Sequence, residues 1–369
     1  MIPVTKPYLP SRKKLDEYID GIYERYWLTN DGPLVQELTA RLEKYLGVEN
    51  LLLVSNGTLA LQIAYRALGV SGGNLDQEPE AITTPFTFIA TASSMAWDGL
   101  KPVFADIDPQ TWCLDPHNIE ALITPKTRVI VPVHVFGNAC DVQTIETVAR
   151  RHKLKVIYDA CHAFGVKVNG KSLLTYGDAA TLSFHATKLF HTGEGGAIVF
   201  RNRVDLERAK RIINFGIAGP GQIGELGINA KMSELSAAMG LCVLDEIEEI
   251  TTSRAALWRH YEKALESSLN LLNIPDGLIY NYSYFPVVFQ SEGQALQVLH
   301  ALAENEIFAR RYFYPSLESV QCLEVEAEVP ISKDIASRIL CLPLYPGLKK
   351  NDQLNITKII KQNMPLSIG

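Results

Sequence analysis

Three short stretches carry polar residues where buried apolar runs end, and their types and spacing point to one kind of chemistry. Ser183-Phe184-His185-Ala186-Thr187-Lys188 leaves an apolar run and leads into the flexible turn Gly193-Glu194-Gly195-Gly196. A lysine desolvated in such a turn has its pKa lowered, and its neutral amine can attack an aldehyde. Val156-Ile157-Tyr158-Asp159 puts a carboxylate at the end of another run, with His162 three residues on. A carboxylate so placed needs a cationic or donor partner, because an unpaired buried charge is costly. Ser55-Asn56-Gly57-Thr58 stands between the run Leu51–Val54 and a helical pattern of Ala60, Ile63, Ala64, Ala67 and Leu68, ended by Gly69. Free amides and the positive end of the helix dipole make such a turn a seat for phosphate. Each stretch has a plainer alternative: a surface lysine, a turn-capping acid beside a core histidine, a helix cap. Taken together they are more specific. A phosphate seat, a strand-end acid and a lysine 29 residues after it are what a pyridoxal phosphate (PLP) site needs.

Such residues need a scaffold that brings distant strand ends together. Between Leu51 and Phe200 short apolar runs alternate with helical patterns: Leu51–Val54, Pro102–Phe104, Val129–Val135, Val156–Tyr158, Ala180–Phe184 and Ala197–Phe200. This alternation predicts an α/β unit with a mostly parallel, buried sheet flanked by helices. In open sheets of this kind ligands bind outside the carboxyl ends of the strands. From about Lys231 to Glu266 the pattern is helical, and the rest mixes strands such as Ser283–Phe289 with helices such as Ala295–Glu304. The division expected is a large domain, residues 1–245, and a smaller C-terminal α+β domain, residues 246–369. Residues 1–35 read as an extended arm with one helix, Lys13–Trp27, packing on another surface.

The order of motifs resembles the DegT/StrS-type sugar aminotransferases, which have the aspartate aminotransferase fold (fold type I). The resemblance begins at Trp27-Leu28-Thr29-Asn30-Asp31-Gly32-Pro33 and passes through Ser55–Thr58, Thr84-Pro85-Phe86-Thr87-Phe88 and Asp159-Ala160-Cys161-His162-Ala163. It goes on through Ser183–Lys188 with Glu194-Gly195-Gly196 and Gly227-Ile228-Asn229-Ala230-Lys231-Met232-Ser233-Glu234, ending at Leu342-Pro343-Leu344-Tyr345-Pro346. It implies that Lys188 forms the imine with PLP and shuttles the proton, that Asp159 pairs with the pyridine nitrogen, and that His162 lies near the ring hydroxyl. It further implies that Phe88 stacks on the ring and that Gly57, Thr58 and Ser183 hold the phosphate. Asn229 would reach the phosphate from a neighbouring subunit, so the family implies a homodimer with shared sites. Cys161 departs from the commoner Ala and sets an oxidisable thiol near the cofactor. The resemblance gives L-glutamate as amino donor and a nucleotide-linked keto-sugar as acceptor.

Related dehydratases carry His in place of the lysine, so Lys188 argues for amino transfer. Ser-Phe-His-x-x-Lys resembles members that aminate C4 of the sugar, where C3 enzymes more often show Ser-Phe-Tyr-Pro-x-Lys. The N-terminal stretch and Arg310-Arg311-Tyr312-Phe313-Tyr314-Pro315 resemble members making dTDP-4-amino-4,6-dideoxyglucose. The alternatives are a C3 aminotransferase, a galacto product or a dehydratase. His185, His134, Tyr314 and Glu194 are the candidate sugar-nucleotide contacts.

Composition narrows the remaining classes. A net charge of −6 gives no long-range attraction to nucleic acid or anionic membrane. No apolar run approaches the roughly 20 residues that span a bilayer, and the N-terminus lacks a signal core, so a cytoplasmic protein is expected. The six cysteines include no Cys-x-x-Cys pair and read as reduced thiols. No cluster has metal-ligand spacing, and no G-x-G-x-x-G supports a dinucleotide site.

Overall fold

The computed structural model describes residues 1–71 and 78–364. Seven strands form the main sheet: β1 (Leu51–Val54), β2 (Glu80–Thr83), β3 (Lys101–Phe104), β4 (Thr127–Val131), β5 (Lys155–Asp159), β6 (Ala179–Ser183) and β7 (Gly196–Phe200), in the order β1-β7-β6-β5-β4-β2-β3. The pairs from β6 to β3 are parallel, while β7 runs antiparallel to both neighbours. Since β7 opposes both β1 and β6, these two point the same way as β5. The ends of β1, β5 and β6 therefore lie at one edge of the sheet.

The apolar runs are continuous because both faces are covered. Leu51, Leu53, Val156, Tyr158, Ala180 and Leu182 face one core. Leu52, Val54, Ile157, Ala179, Ile198 and Phe200 face a second one, under the helices Gly57–Ala67 and Arg203–Ile212. Strand bounds follow the sequence runs closely except at two places. β4 ends at Val131, just before Pro132 and four residues before the apolar run does; the Pro132 carbonyl accepts from Asp159 N at 2.9 Å. Strand β2 has only four residues and falls in no apolar run read above.

C-terminal to residue 265 lies a second sheet of β8 (Asn270–Leu271), β9 (Phe285–Val288) and β10 (Ile339–Leu342), all antiparallel, in that order. The helices Ile247–Leu265, Glu292–Glu304, Pro330–Arg338 and Lys350–Gln362 accompany it. The helical stretch expected from Lys231 to Glu266 is broken at Glu246 into Glu234–Asp245 and Ile247–Leu265. The Glu246 carboxylate accepts from Tyr8 Oη and Ser11 N, so the arm docks at the break. The arm's one helix is Arg12–Arg25, and its first residues pack on the chain's own C-terminal unit. Ile2 bridges Ile307, and Val4 O accepts from Leu344 N at 3.1 Å.

The helix Pro33–Leu46 starts at Pro33, which has no N–H to satisfy. The next two amides, Leu34 and Val35, donate to the two oxygens of Glu234 at 3.0 and 2.9 Å. Glu234 is fully buried, and a Cβ on Gly32 would come within 2.6 Å of its Cδ. One carboxylate thus caps a helix 200 residues away in sequence and meets its dipole. Replacing it strands two buried donors, each worth about 1.5–3 kcal/mol when bonded to a charged group. Glu234→Ala should lower the unfolding free energy by about 3 kcal/mol in urea titration, and Glu234→Gln by less, since one acceptor oxygen remains. An unchanged midpoint for Glu234→Ala would show that water replaces the cap.

Candidate active site

At the shared strand edge, β1 runs through Ser55 into the helix Gly57–Ala67. Asn56 caps that helix, its Oδ1 accepting from Leu59 N at 2.9 Å. Among the described residues this leaves the amides of Gly57 and Thr58, at the helix start, with no backbone acceptor. A Cβ on Gly57 would fall 2.8 Å from Ser183 Cβ, and one on Gly196 would fall 2.6 Å from Asn56 C, so two glycines let β1, β6 and β7 close on the turn.

Asp159, at the end of β5, is buried. Thr91 Oγ1 donates to it at 2.7 Å and Cys161 N at 3.1 Å. His162 is buried beside two mutually stacked rings, nearly parallel to both, with Phe313 at 5.7 Å and Phe136 at 6.3 Å. Phe136 N donates to its Nδ1 at 3.2 Å, which assigns the ring proton to Nε2. Burial, with the neighbouring Lys188 charge, pushes His162 well below the usual histidine range. Burial also pushes the Cys161 thiol well up.

Lys188 Nζ lies 3.1 Å from Tyr284 Oη. Burial disfavours its cation, but Tyr284, Cys161 and Asp159 outweigh burial and hold the amine above the usual lysine range. This reverses the lowered pKa expected from desolvation alone: opposing neighbours win, and the lysine is an ammonium at neutral pH.

These groups line one cavity of about 320 Å³. Gly57, Thr58, Phe88, Asp159, His162, Ser183, His185, Lys188 and Glu194, all singled out from the sequence, border it. His185 Nδ1 meets Thr187 Oγ1 at 2.8 Å, and its Nε2 is 3.7 Å from Glu194. Three of the residues named from the sequence are elsewhere. His134 is fully buried in the core, stacked on Tyr158 at 4.7 Å and accepting from Cys140 N, which rules it out as a substrate contact in this arrangement. Tyr314 points away, about half exposed, under the Arg311 guanidinium. Asn229 is exposed on a surface segment bridged to Asn214, outside this chain's own cavity.

The sequence reading missed Thr91, Tyr284, Arg310, Tyr312 and Phe313, which also border the cavity. The last three precede Tyr314 in the stretch Arg310–Pro315, which carries the signal, while Tyr314 itself does not border the cavity. Thr91 shares the helix Ile89–Trp97 with two other hydroxyl residues, Ser93 and Ser94, and Tyr284 leads a core strand; neither stands out locally. Among the described residues no group of three or more His, Cys, Asp or Glu is arranged to hold a metal, and no helix is long and apolar enough to cross a membrane.

Comparison with known proteins sets this site in context. The sequence profile described as the DegT/DnrJ/EryC1/StrS aminotransferase family matches residues 11–361. A dTDP-4-amino-4,6-dideoxy-D-glucose transaminase of Shigella dysenteriae is 42% identical, over 97% of this chain and 98% of its own. An Escherichia coli protein of the same name is 38% identical, over 98% and 99%. Among solved structures, DesI in the presence of its TDP-sugar product superposes with a TM-score of 0.91 at 32% identity, covering 98% of this chain and 92% of DesI.

The misplaced histidine has a measurable consequence. Burial lowers the His134 pKa to about 3. In the unfolded chain it titrates near 6.5, so below that pH the unfolded state binds a proton that the native state refuses. Its contribution is intact above pH 6.5 and is lost as pH falls towards 3. In unfolding experiments from pH 6 to 4, His134→Gln should gain on the native protein by about 1.4 kcal/mol per pH unit. Parallel stability curves would mean that His134 takes up its proton inside the fold.

Proposed function

The chain belongs to the DegT/DnrJ/EryC1/StrS aminotransferase family, and from that premise we propose that it uses PLP to move an amino group from L-glutamate to C4 of a dTDP-linked 4-keto-6-deoxyhexose, giving the 4-amino-4,6-dideoxyglucose product. The observation that carries this reading is that Lys188, Asp159 and the uncapped amides of Gly57 and Thr58 border a single cavity. That donor set fits the cofactor. The helix start offers two N–H groups and a positive dipole to a phosphate, with Ser183 alongside. Among the described residues Asp159 has only neutral hydrogen-bond donors as partners, so it can receive a protonated ring nitrogen. Neutral His162, with its proton on Nε2, is suited to donate to the ring hydroxyl, and exposed Phe88 supplies a face for stacking.

When bound, the cofactor supplies an aldehyde to carry the amino group and a conjugated ring to take up the electron pair released at carbon. The chain's residues do the rest. Asp159, held by Thr91, keeps a proton at the ring nitrogen. In its neutral form, once its own proton has left, Lys188 Nζ would take a proton from the donor carbon and later return one to the acceptor carbon, which demands that it stay at one place in the cavity. His185 and Glu194 stand at the same wall as Lys188 and are available to sugar hydroxyls. Residues 1–245 would hold the cofactor. Residues 246–369, whose last five lie outside the described residues, would close over it through Tyr284, Arg310, Tyr312 and Phe313. The sugar and its nucleotide are inferred from the near-full-length likeness to the two transaminases and from His185 in place of a bulkier side chain.

Asn229 supports a homodimer with shared sites. It lies in a segment that also exposes Phe215, Ile223, Leu226 and Ile228, an apolar grouping suited to a protein partner. Ser55 N donates to Ala230 O at 2.9 Å, which ties that segment to the start of the phosphate seat.

Incubation with PLP and borohydride should label Lys188, and label on another lysine would overturn its role. With glutamate and dTDP-4-keto-6-deoxyglucose, product NMR should show large couplings from H4 to H3 and H5. Turnover of a 3-keto isomer with the 4-keto sugar untouched would refute the regiochemistry. For the dimer, inactive Lys188→Ala chains mixed with inactive Asn229→Ala chains should regain activity, since one hybrid site holds both intact residues. Absence of recovery after verified subunit exchange would exclude sharing.

A further inference from the structure

Among the described residues, Tyr284 Oη is the one hydrogen-bond partner of Lys188 Nζ, at 3.1 Å, and it comes from the C-terminal unit, 96 residues away. The tyrosine is fixed independently of the lysine. Its ring meets the edge of His162 at 5.0 Å and leans on Phe136 at 5.5 Å. Its carbonyl accepts from Trp258 Nε1 at 3.2 Å. Just before it, Asn281 Nδ2 donates to the carbonyls of His162 at 2.8 Å and Phe164 at 3.0 Å, and Ser283 Oγ donates to the His162 carbonyl at 3.1 Å. Behind it, buried Arg254 is bonded to no carboxylate; its guanidinium donates to the carbonyls of Tyr282 and Ser283. A stretch clamped from both sides therefore presents a single hydroxyl to the reacting amine.

We propose that Tyr284 is a catalytic residue of this enzyme: its hydroxyl holds Lys188 Nζ at its place in the cavity and keeps the amine's proton there until the reacting carbon takes it. No bond to Tyr284 forms or breaks. The Tyr284 oxygen accepts an N–H···O hydrogen bond, and the proton that leaves Nζ goes to carbon. The catalytic part of the inference rests on the aminotransferase reading; the hold on Lys188 does not.

The titratable groups facing Nζ are Tyr284 from the C-terminal unit and Asp159, Cys161 and His162 from the end of β5 and the turn after it, with His185, Glu194, Arg310 and Tyr312 bordering the same cavity. Of the neighbours that favour the ammonium, Tyr284 has the largest effect. Its removal should therefore free the neutral amine at lower pH.

The test uses cofactor-free protein, formaldehyde with cyanoborohydride as the amine probe, and peptide mass spectrometry of Lys188 from pH 6 to 10. Tyr284→Phe keeps the ring contacts and loses the oxygen. It should be labelled at Lys188 roughly tenfold faster at pH 8, the scale of one charge-assisted hydrogen bond. In the loaded enzyme the same change should lower kcat about 10- to 100-fold, with KM for glutamate and sugar within about twofold. Tyr284→Gln restores an acceptor without the ring and should move the labelling curve back towards the native one. A Tyr284→Phe curve superimposed on the native one, a Tyr284→Gln curve identical to that of Phe, or an unchanged kcat would each overturn the proposal. Failure of the native protein to aminate any keto-sugar nucleotide would overturn the functional reading instead, and the labelling curves would still report on Tyr284.

Discussion

The antiparallel strand β7, set between β1 and β6, is the constraint on which the site depends. Val54 and Ser183 both stand opposite Gly196. With β7 opposed to each, the two outer strands must run together and deliver their ends to the same edge as β5. The anion seat, the acid and the lysine segment thus meet without any long excursion of the chain. The cost is steric. Three backbones crowd at that point, and only glycine at 57 and 196 leaves room. The phosphate-type turn is therefore a packing requirement of the sheet as much as a binding feature.

The second dependence lies between the two units. The cavity's base belongs to the large sheet, but its lysine and histidine are steadied by residues after 280. The strand Leu278–Ile279 pairs with Lys167–Val168 of the hairpin that follows the His162 turn. The stretch after it bonds to the His162 and Phe164 carbonyls. Movement of the C-terminal unit cannot be independent of Lys188, since Tyr284 would carry its hydroxyl away from the amine.

How much was legible follows from what each residue answers to. Strands buried on both faces write themselves as unbroken apolar runs, so β1 and β7 were readable almost to the residue. Polar groups at the ends of such runs break the pattern, which is why Lys188, Asp159, His162 and the Ser55–Thr58 turn stood out and, in the structure, border one cavity. Thr91 and Tyr284 answer to partners 68 and 96 residues away and look locally like ordinary helix and strand residues. His134 misled for the converse reason. It is polar at the end of a run, yet it turns into the core onto Tyr158, while its backbone N donates to the Asp159 carbonyl. The turn's geometry decides such a case, and a single sequence does not state it. The sign of the Lys188 shift was equally out of reach, because it depends on three neighbours from two other segments.

The Glu234 cap bears on the order in which a growing chain can become structured. The helix Pro33–Leu46 has two of its first amides satisfied by a side chain made 200 residues later, and Ile2 pairs with Ile307. At ribosomal rates of roughly 5–20 residues per second, the N-terminal arm waits on the order of 15–60 seconds for the segment it finally lies on. During that interval its apolar side chains, Val4, Ile22 and Leu34 among them, have no native cover. Contacts of such sequence separation also slow folding once the chain is complete. Exposed apolar surface on a chain still being made, rather than any property of the finished fold, is what this clasp costs.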